Sequence, residues 1–95
     1  MGGDLNASSR LFRLACDHDQ SRGCSELGRL YQYGYGVETD TARAAALYEK
    51  ACRLENAKGC TRLGWLYERG QGVEEDKPES FRLYTRGCEL GDALG

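Results

Sequence analysis

No apolar run in this 95-residue chain approaches the roughly 18 residues that a membrane span needs. Nor is there an excess of either charge. Thirteen lysines and arginines stand against fifteen acidic residues, a formal charge of −2, and both signs are spread along the whole sequence. Nucleic-acid binders carry a basic stripe or patch, which is missing here. The pattern is that of the solvated side of amphipathic helices. A soluble chain without membrane insertion or nucleic-acid binding is expected.

Catalytic groups are equally scarce. The single histidine, His18, lies in a turn between Asp17 and Asp19, and residues i and i+2 such as Cys16 and His18 point apart on a helix. Neither a Gly-x-Ser-x-Gly elbow nor a Ser-x-x-Lys pair occurs. The acidic stretches from Glu38 to Asp40 and from Glu74 to Asp76 lack the alternating oxygen ligands of a calcium loop. The Gly34-Tyr35-Gly36 and Gly70-Gln71-Gly72 steps follow helical patterns and lack a further spaced glycine, so they read as turns, not phosphate cradles. An enzyme, a cofactor and a metal site are not expected.

Targeting signals are missing too. Arg10 and Arg13 interrupt the only candidate signal stretch, and Asn6 stands where myristoylation wants Ser or Thr. The Leu14-Ala15-Cys16 step could pass for the end of a lipoprotein signal, but Ala51-Cys52 repeats it. A piece of a longer chain with an added or internal Met is expected.

What the chain does have is a period. Cys16, Cys52 and Cys88 stand 36 residues apart, and the first two have a second cysteine eight residues on, at Cys24 and Cys60. Between residues 16–51 and 52–87, 14 of 36 positions are identical. They include Gly23 with Gly59, Leu27-Gly28 with Leu63-Gly64, Leu30-Tyr31 with Leu66-Tyr67, and Leu47-Tyr48 with Leu83-Tyr84. A fixed period of this length means stacked supersecondary units, and it favours a binding surface over an active site.

Each unit reads as two helices. Ser8, Leu11, Phe12 and Ala15 follow the i, i+3, i+4, i+7 spacing of one buried face, and return as Ala44, Leu47, Tyr48, Ala51 and as Ser80, Leu83, Tyr84, Gly87. The second pattern, Cys24, Leu27, Gly28, Tyr31, returns as Cys60, Leu63, Gly64, Tyr67. With the first type named B and the second A, the expected spans are B at 5–18, A at 21–33, B at 41–54, A at 57–69 and B at 77–90. Gly34 and Gly70 suit left-handed C-terminal positions. Asp40 and Asp76 suit N-caps, and Glu79 is placed to complete a capping box with Asp76 beside Pro78. Gly28 and Gly64 inside the A helices predict close helix approach.

Leu27-Gly28-Arg29-Leu30-Tyr31, Gly34-Tyr35-Gly36-Val37, Asp40, Ala44 and Tyr48, with the second set at Leu63 to Tyr67, Gly70 to Val73 and Asp76, resemble the SEL-one-like repeats, relatives of the tetratricopeptide repeats. The added cysteine pairs make the chain similar to the cysteine-rich secreted subgroup of Helicobacter type. The resemblance covers nearly the whole chain. It implies an all-α, right-handed α/α superhelical solenoid: a B helix of a preceding repeat at 5–18, then repeats at 21–54 and 57–90, as part of a longer array. It implies a scaffold that holds another protein or peptide in a concave groove lined by the A helices.

Within that hairpin, Cys16 near the end of one helix meets Cys24 near the start of the next, and Cys52 meets Cys60, inside the reach of a disulfide. Two alternatives stand beside the disulfides. One is zinc with His18 as an extra ligand, although structural zinc sites favour ligand gaps of two to four residues. The other is reduced, buried thiols in a cytosolic scaffold. Cys88 has no partner, because its partner would fall at position 96. It is expected to be unpaired, or to bond another chain, and with a bare C-terminal end at Leu90 and Leu94 it could drive a non-native dimer.

The side of the A helices left over by the core is Arg22, Ser25, Glu26, Arg29 and Tyr33 in one copy and Lys58, Thr61, Arg62, Trp65 and Arg69 in the other. This stripe differs between copies where the core face does not. Aromatic residues and arginine are the enriched anchors of binding hot spots, which singles out Arg29, Tyr33, Arg62, Trp65 and Arg69. The bland alternative is a Trp65 packed on a neighbouring repeat and solvated arginines. An oxidising location, periplasmic or secreted, is expected. The alternatives are a secreted penicillin-binding or β-lactamase-like hydrolase, an activity described for some members of the subgroup, and a mitochondrial intermembrane-space assembly factor. A cytoplasmic location belongs to the reduced-thiol reading.

Overall fold

In the computed structural model the described residues are 2–91, with side chains described from 7 to 91. They form five helices: α1 (Gly2–Asp17), α2 (Ser21–Tyr33), α3 (Thr41–Arg53), α4 (Ala57–Arg69) and α5 (Lys77–Glu89). Helices α1, α3 and α5 are the B type, and α2 and α4 the A type. Each helix packs on the next, and α2 also touches α4. The result is an all-α helical repeat solenoid with extents of 39 × 23 × 20 Å. No helix among the described residues is long and apolar enough to cross a membrane. The ends lie within a residue of the expected spans, except that α1 begins three residues before position 5.

The turns that set this geometry recur copy by copy. Asp40 and Asp76 cap α3 and α5 by accepting the backbone N–H of Arg43 and of Glu79, each at 3.0 Å. Gly34 and Gly70 end α2 and α4 at φ of 73° and 67°, a left-handed conformation that glycine adopts without steric cost. The capping box expected at Asp76 does not form. The Asp76 N–H already donates to the Tyr67 carbonyl at 2.9 Å, so the Glu79 carboxylate is free and accepts from Arg82 instead. Asp40 closes its loop in the same way, on Tyr31.

The main core joins Leu27, Leu30, Tyr31, Ala44, Ala45, Tyr48, Leu63, Leu66 and Leu83 from four helices. Burying each leucine side chain is worth roughly 1.5–3 kcal/mol. The expected faces are the buried ones, with one exception: Leu11 is 67% exposed, although its equivalent Leu83 is only 3% exposed. This position in a B helix packs backward onto the preceding unit. Leu47 does so against Cys16, Cys24 and Ala51, but α1 has no preceding unit among the described residues. Leu14 is also exposed, at 57%.

Two disulfides fasten the B-to-A turns. Cys16 bonds Cys24 across α1 and α2, and Cys52 bonds Cys60 across α3 and α4, with Cα atoms 4.5 and 4.6 Å apart. The helices can come this close because Gly23 and Gly59 lie beside the bonds. A Cβ on Gly23 would stand 2.6 Å from that of Ala15, and one on Gly59 would stand 2.7 Å from that of Ala51. Cys88 is free and exposed. Leu90, expected to be bare, is half-buried; Leu94 lies outside the described residues.

Candidate functional site

The surface in question is the stripe of α2 and α4 beside the core-facing leucines. On α4 the Trp65 ring is half-buried and packs against the core cluster. Four residues on, one helical turn, Arg69 lays its guanidinium over that ring, 4.3 Å from the centroid. Arg29, which stands where the other copy has Trp65, pairs with Glu26 at 2.9 Å. Tyr33 is 51% exposed, and its ring meets that of Tyr35 with centroids 5.7 Å apart.

Arg29, Tyr33 and Arg62 act on one buried hydroxyl. Tyr48 rises from α3 and donates to Gln32 Oε1 on α2 at 2.6 Å. Burial pushes its phenol up to about 12, while Arg62 and Arg29 pull it down and Tyr33 pushes it further up. Arg29, Tyr33 and Arg62 therefore share one patch, in which each is felt by the same oxygen. The second copy repeats the device: Tyr84 donates to Glu68 Oε1 at 2.7 Å. Burial and that hydrogen bond take it up to about 12 against the pull of Arg69. A phenol of this kind stays protonated at neutral pH and acts only as a donor or acceptor.

Two residues of the expected stripe do not belong to it. Ser25 and Thr61 are buried at 7% and 8% exposure. Thr61 turns its hydroxyl onto the Ala57 carbonyl at 3.1 Å, and a Cβ on Gly87 of α5 would press on that same oxygen, so α5 covers it. Sequence reasoning also missed Phe81, 74% exposed on α5, whose equivalent Ala45 is 4% exposed. The signal was a phenylalanine replacing alanine at one repeat position. Among the described residues no three His, Cys, Asp or Glu side chains are grouped to hold a metal ion. His18 is exposed.

Comparison with known proteins agrees with this architecture. No curated protein matches the chain. Among solved structures it is similar to Helicobacter pylori cysteine rich protein B, at 32% identity and a TM-score of 0.86 over 90% of this chain and 64% of that one. A Sel1 repeat protein from Oxalobacter formigenes aligns at 28% identity and a TM-score of 0.83, covering 88% of this chain and 34% of that one. A protective antigen from uropathogenic Escherichia coli with an SLR fold, c5321, aligns at 33% identity and a TM-score of 0.81, covering 85% and 17%. The chain thus spans less than two thirds of each neighbour. The Sel1 repeat model matches residues 21–56 and 57–92, one α2–α3 unit and one α4–α5 unit, and with both units so matched the chain belongs to the Sel1 repeat family.

Proposed function

We propose that this chain is a protein-interaction scaffold whose α2–α4 face, and Trp65 with Arg69 above all, receives a protein partner. Sel1 repeat proteins typically serve as such scaffolds. The observation that carries the reading is the Trp65–Arg69 stack: a large half-buried ring with a cation on it, at a position where the other copy has an ion-paired arginine. Rings held in this way lose little entropy on contact, and tryptophan and arginine are the commonest anchors of binding energy. Arg62 and Arg69 form no ion pair among the described residues, so the partner surface is one that presents carboxylates around an apolar side chain. No catalytic step is assigned to the chain.

The two disulfides suit an oxidising compartment, periplasmic or extracellular. A place within a longer array fits the exposed Phe81, whose alanine counterpart is covered by the following unit. The test is capture of the partner by wild-type protein and by Trp65→Ala, Arg69→Ala and Arg29→Ala variants with unchanged helicity. Loss of about 2 kcal/mol or more of binding at Trp65 supports the site. Capture undiminished in all three variants refutes it.

A further inference from the structure

The two repeats build the same groove, with glutamates in the second at the two positions where the first has arginines. In the first, between α1, α2 and α3, the Tyr31 hydroxyl accepts from Arg13 Nη2 at 2.7 Å and from Arg43 Nη1 at 3.1 Å. Arg43 also lies over the Tyr31 ring, 5.1 Å from its centroid. The groove is filled: Tyr31 is 7% exposed and Cys16 is 3% exposed.

Thirty-six residues on, the tyrosine is kept as Tyr67, but both arginines become glutamates, Glu49 and Glu79. No guanidinium reaches the Tyr67 hydroxyl. Among the described residues neither that hydroxyl nor the Glu49 carboxylate has a hydrogen-bond partner. Tyr67 and Cys52 are only half-buried. A groove of about 350 Å³ is open among α3, α4 and α5, with Glu49, Tyr67, Glu79 and Arg82 in its wall. Arg82 holds both oxygens of Glu79, through Nε to Oε1 at 2.9 Å and Nη2 to Oε2 at 2.5 Å. Two further cations, Arg53 and Arg86, line the same groove, one helical turn along from Glu49 and Arg82.

We propose that this groove takes an arginine side chain of a partner protein between Glu49 and Glu79, where its guanidinium does for Tyr67 what Arg13 and Arg43 do for Tyr31. The chemistry is that of the filled copy. A guanidinium carries five donors in a planar fork, matching carboxylates and a phenol oxygen together, and its flat cation stacks on a tyrosine face. Burial, and then the carboxylates of Glu79, Glu49 and Asp76, hold the Tyr67 phenol above the ordinary tyrosine range against the pull of Arg82. Leu63 and Tyr67 lie two residues either side of Trp65, about 200° around the helix. This site therefore faces away from Trp65 and stands independently of the reading above.

The test is an NMR titration of isotope-labelled chain with acetyl-Gly-Arg-Gly-amide, and in parallel with the glutamate counterpart. The arginine peptide is expected to shift the amides of Glu49, Tyr67 and Glu79 saturably, with no such shifts from the glutamate peptide. The double variant Glu49→Arg/Glu79→Arg restores the filled copy and should weaken binding about tenfold or more. Glu49→Gln/Glu79→Gln, which keeps side-chain shape, should do the same if the arginine variant fails to fold. Trp65→Ala should leave the titration unchanged. No saturable shift with the arginine peptide, equal shifts with the glutamate peptide, or undiminished binding in the glutamine variant would overturn the proposal.

Discussion

Gly28 of α2 meets the ring of Tyr48 of α3 so closely that a methyl group there would stand 2.7 Å from Cε1. The ring cannot step aside, because Tyr48 is fully buried and tied through its hydroxyl to Gln32. At Gly64 the same substitution would meet Ser80 O at 3.1 Å and Tyr84 Cδ1 at 3.2 Å, and Tyr84 is only half-buried. Alanine gains about 1 kcal/mol over glycine in a helix, and overpacking costs about 1–3 kcal/mol. Gly28→Ala should therefore lower stability by about 1–2 kcal/mol, while Gly64→Ala should be close to neutral. Paired thermal or urea unfolding of the two variants checks the order.

The disulfides close loops of eight-residue separation, worth about 2–3 kcal/mol each in the chain-entropy picture. With two complete repeats among the described residues this is a large share of the total, since roughly three are needed for a self-sufficient array. Replacing Cys52 and Cys60 together by serine should lower unfolding free energy by about that amount, and reduction of wild-type protein should act in the same direction. Denaturant unfolding with and without reductant makes the comparison.

Alkaline pH offers a separate handle. Tyr48 and Tyr84 each stand at about 12 in the folded chain, against about 10 when unfolded. Between those values the folded state binds more protons than the unfolded one, so stability falls as pH rises. It should be level below about pH 9 and decline between about 10 and 12. Tyr48→Phe should flatten part of that decline. Unfolding curves across this range, in a Cys88→Ser background to prevent thiol exchange, show whether it does.

Much of this was readable because the helix period marks which residues face inward. Leu27, Tyr48 and Leu83 were identified by spacing alone, and Asp40 and Asp76 by their place before each B helix. What stayed hidden depends on neighbours in space. Leu11 carries the same pattern as Leu83, and only the presence or absence of a preceding unit separates them. Ser25 and Thr61 look like surface residues until α5 is laid over Thr61. The B-to-A turns hid another feature: Asp19 and Glu55 adopt φ of 62° and 67°, where a glycine would have announced the bend. Gly91 does so at the third copy, at φ 110°. At the α2–α4 face, Arg29, Tyr33, Arg62, Trp65 and Arg69 stand out as candidates from the difference between copies. That Arg69 stacks on Trp65 while Arg29 pairs with Glu26 depends on which neighbour each guanidinium meets in space.

Cys88 is the one exposed thiol among the described residues. In oxidising buffer at high concentration the chain should form a reductant-sensitive dimer that Cys88→Ser abolishes. Non-reducing electrophoresis together with light scattering distinguishes this from association through Phe81, which would survive the serine substitution.

Both candidate sites depend on helical hairpins locked by Cys16–Cys24 and Cys52–Cys60. The direct measurement is iodoacetamide labelling of folded, unreduced protein, followed by intact mass and peptide mapping. One modified residue, Cys88, is the predicted result. Modification of Cys16, Cys24, Cys52 and Cys60 alongside it, in protein that is still helical, would contradict the stapled solenoid.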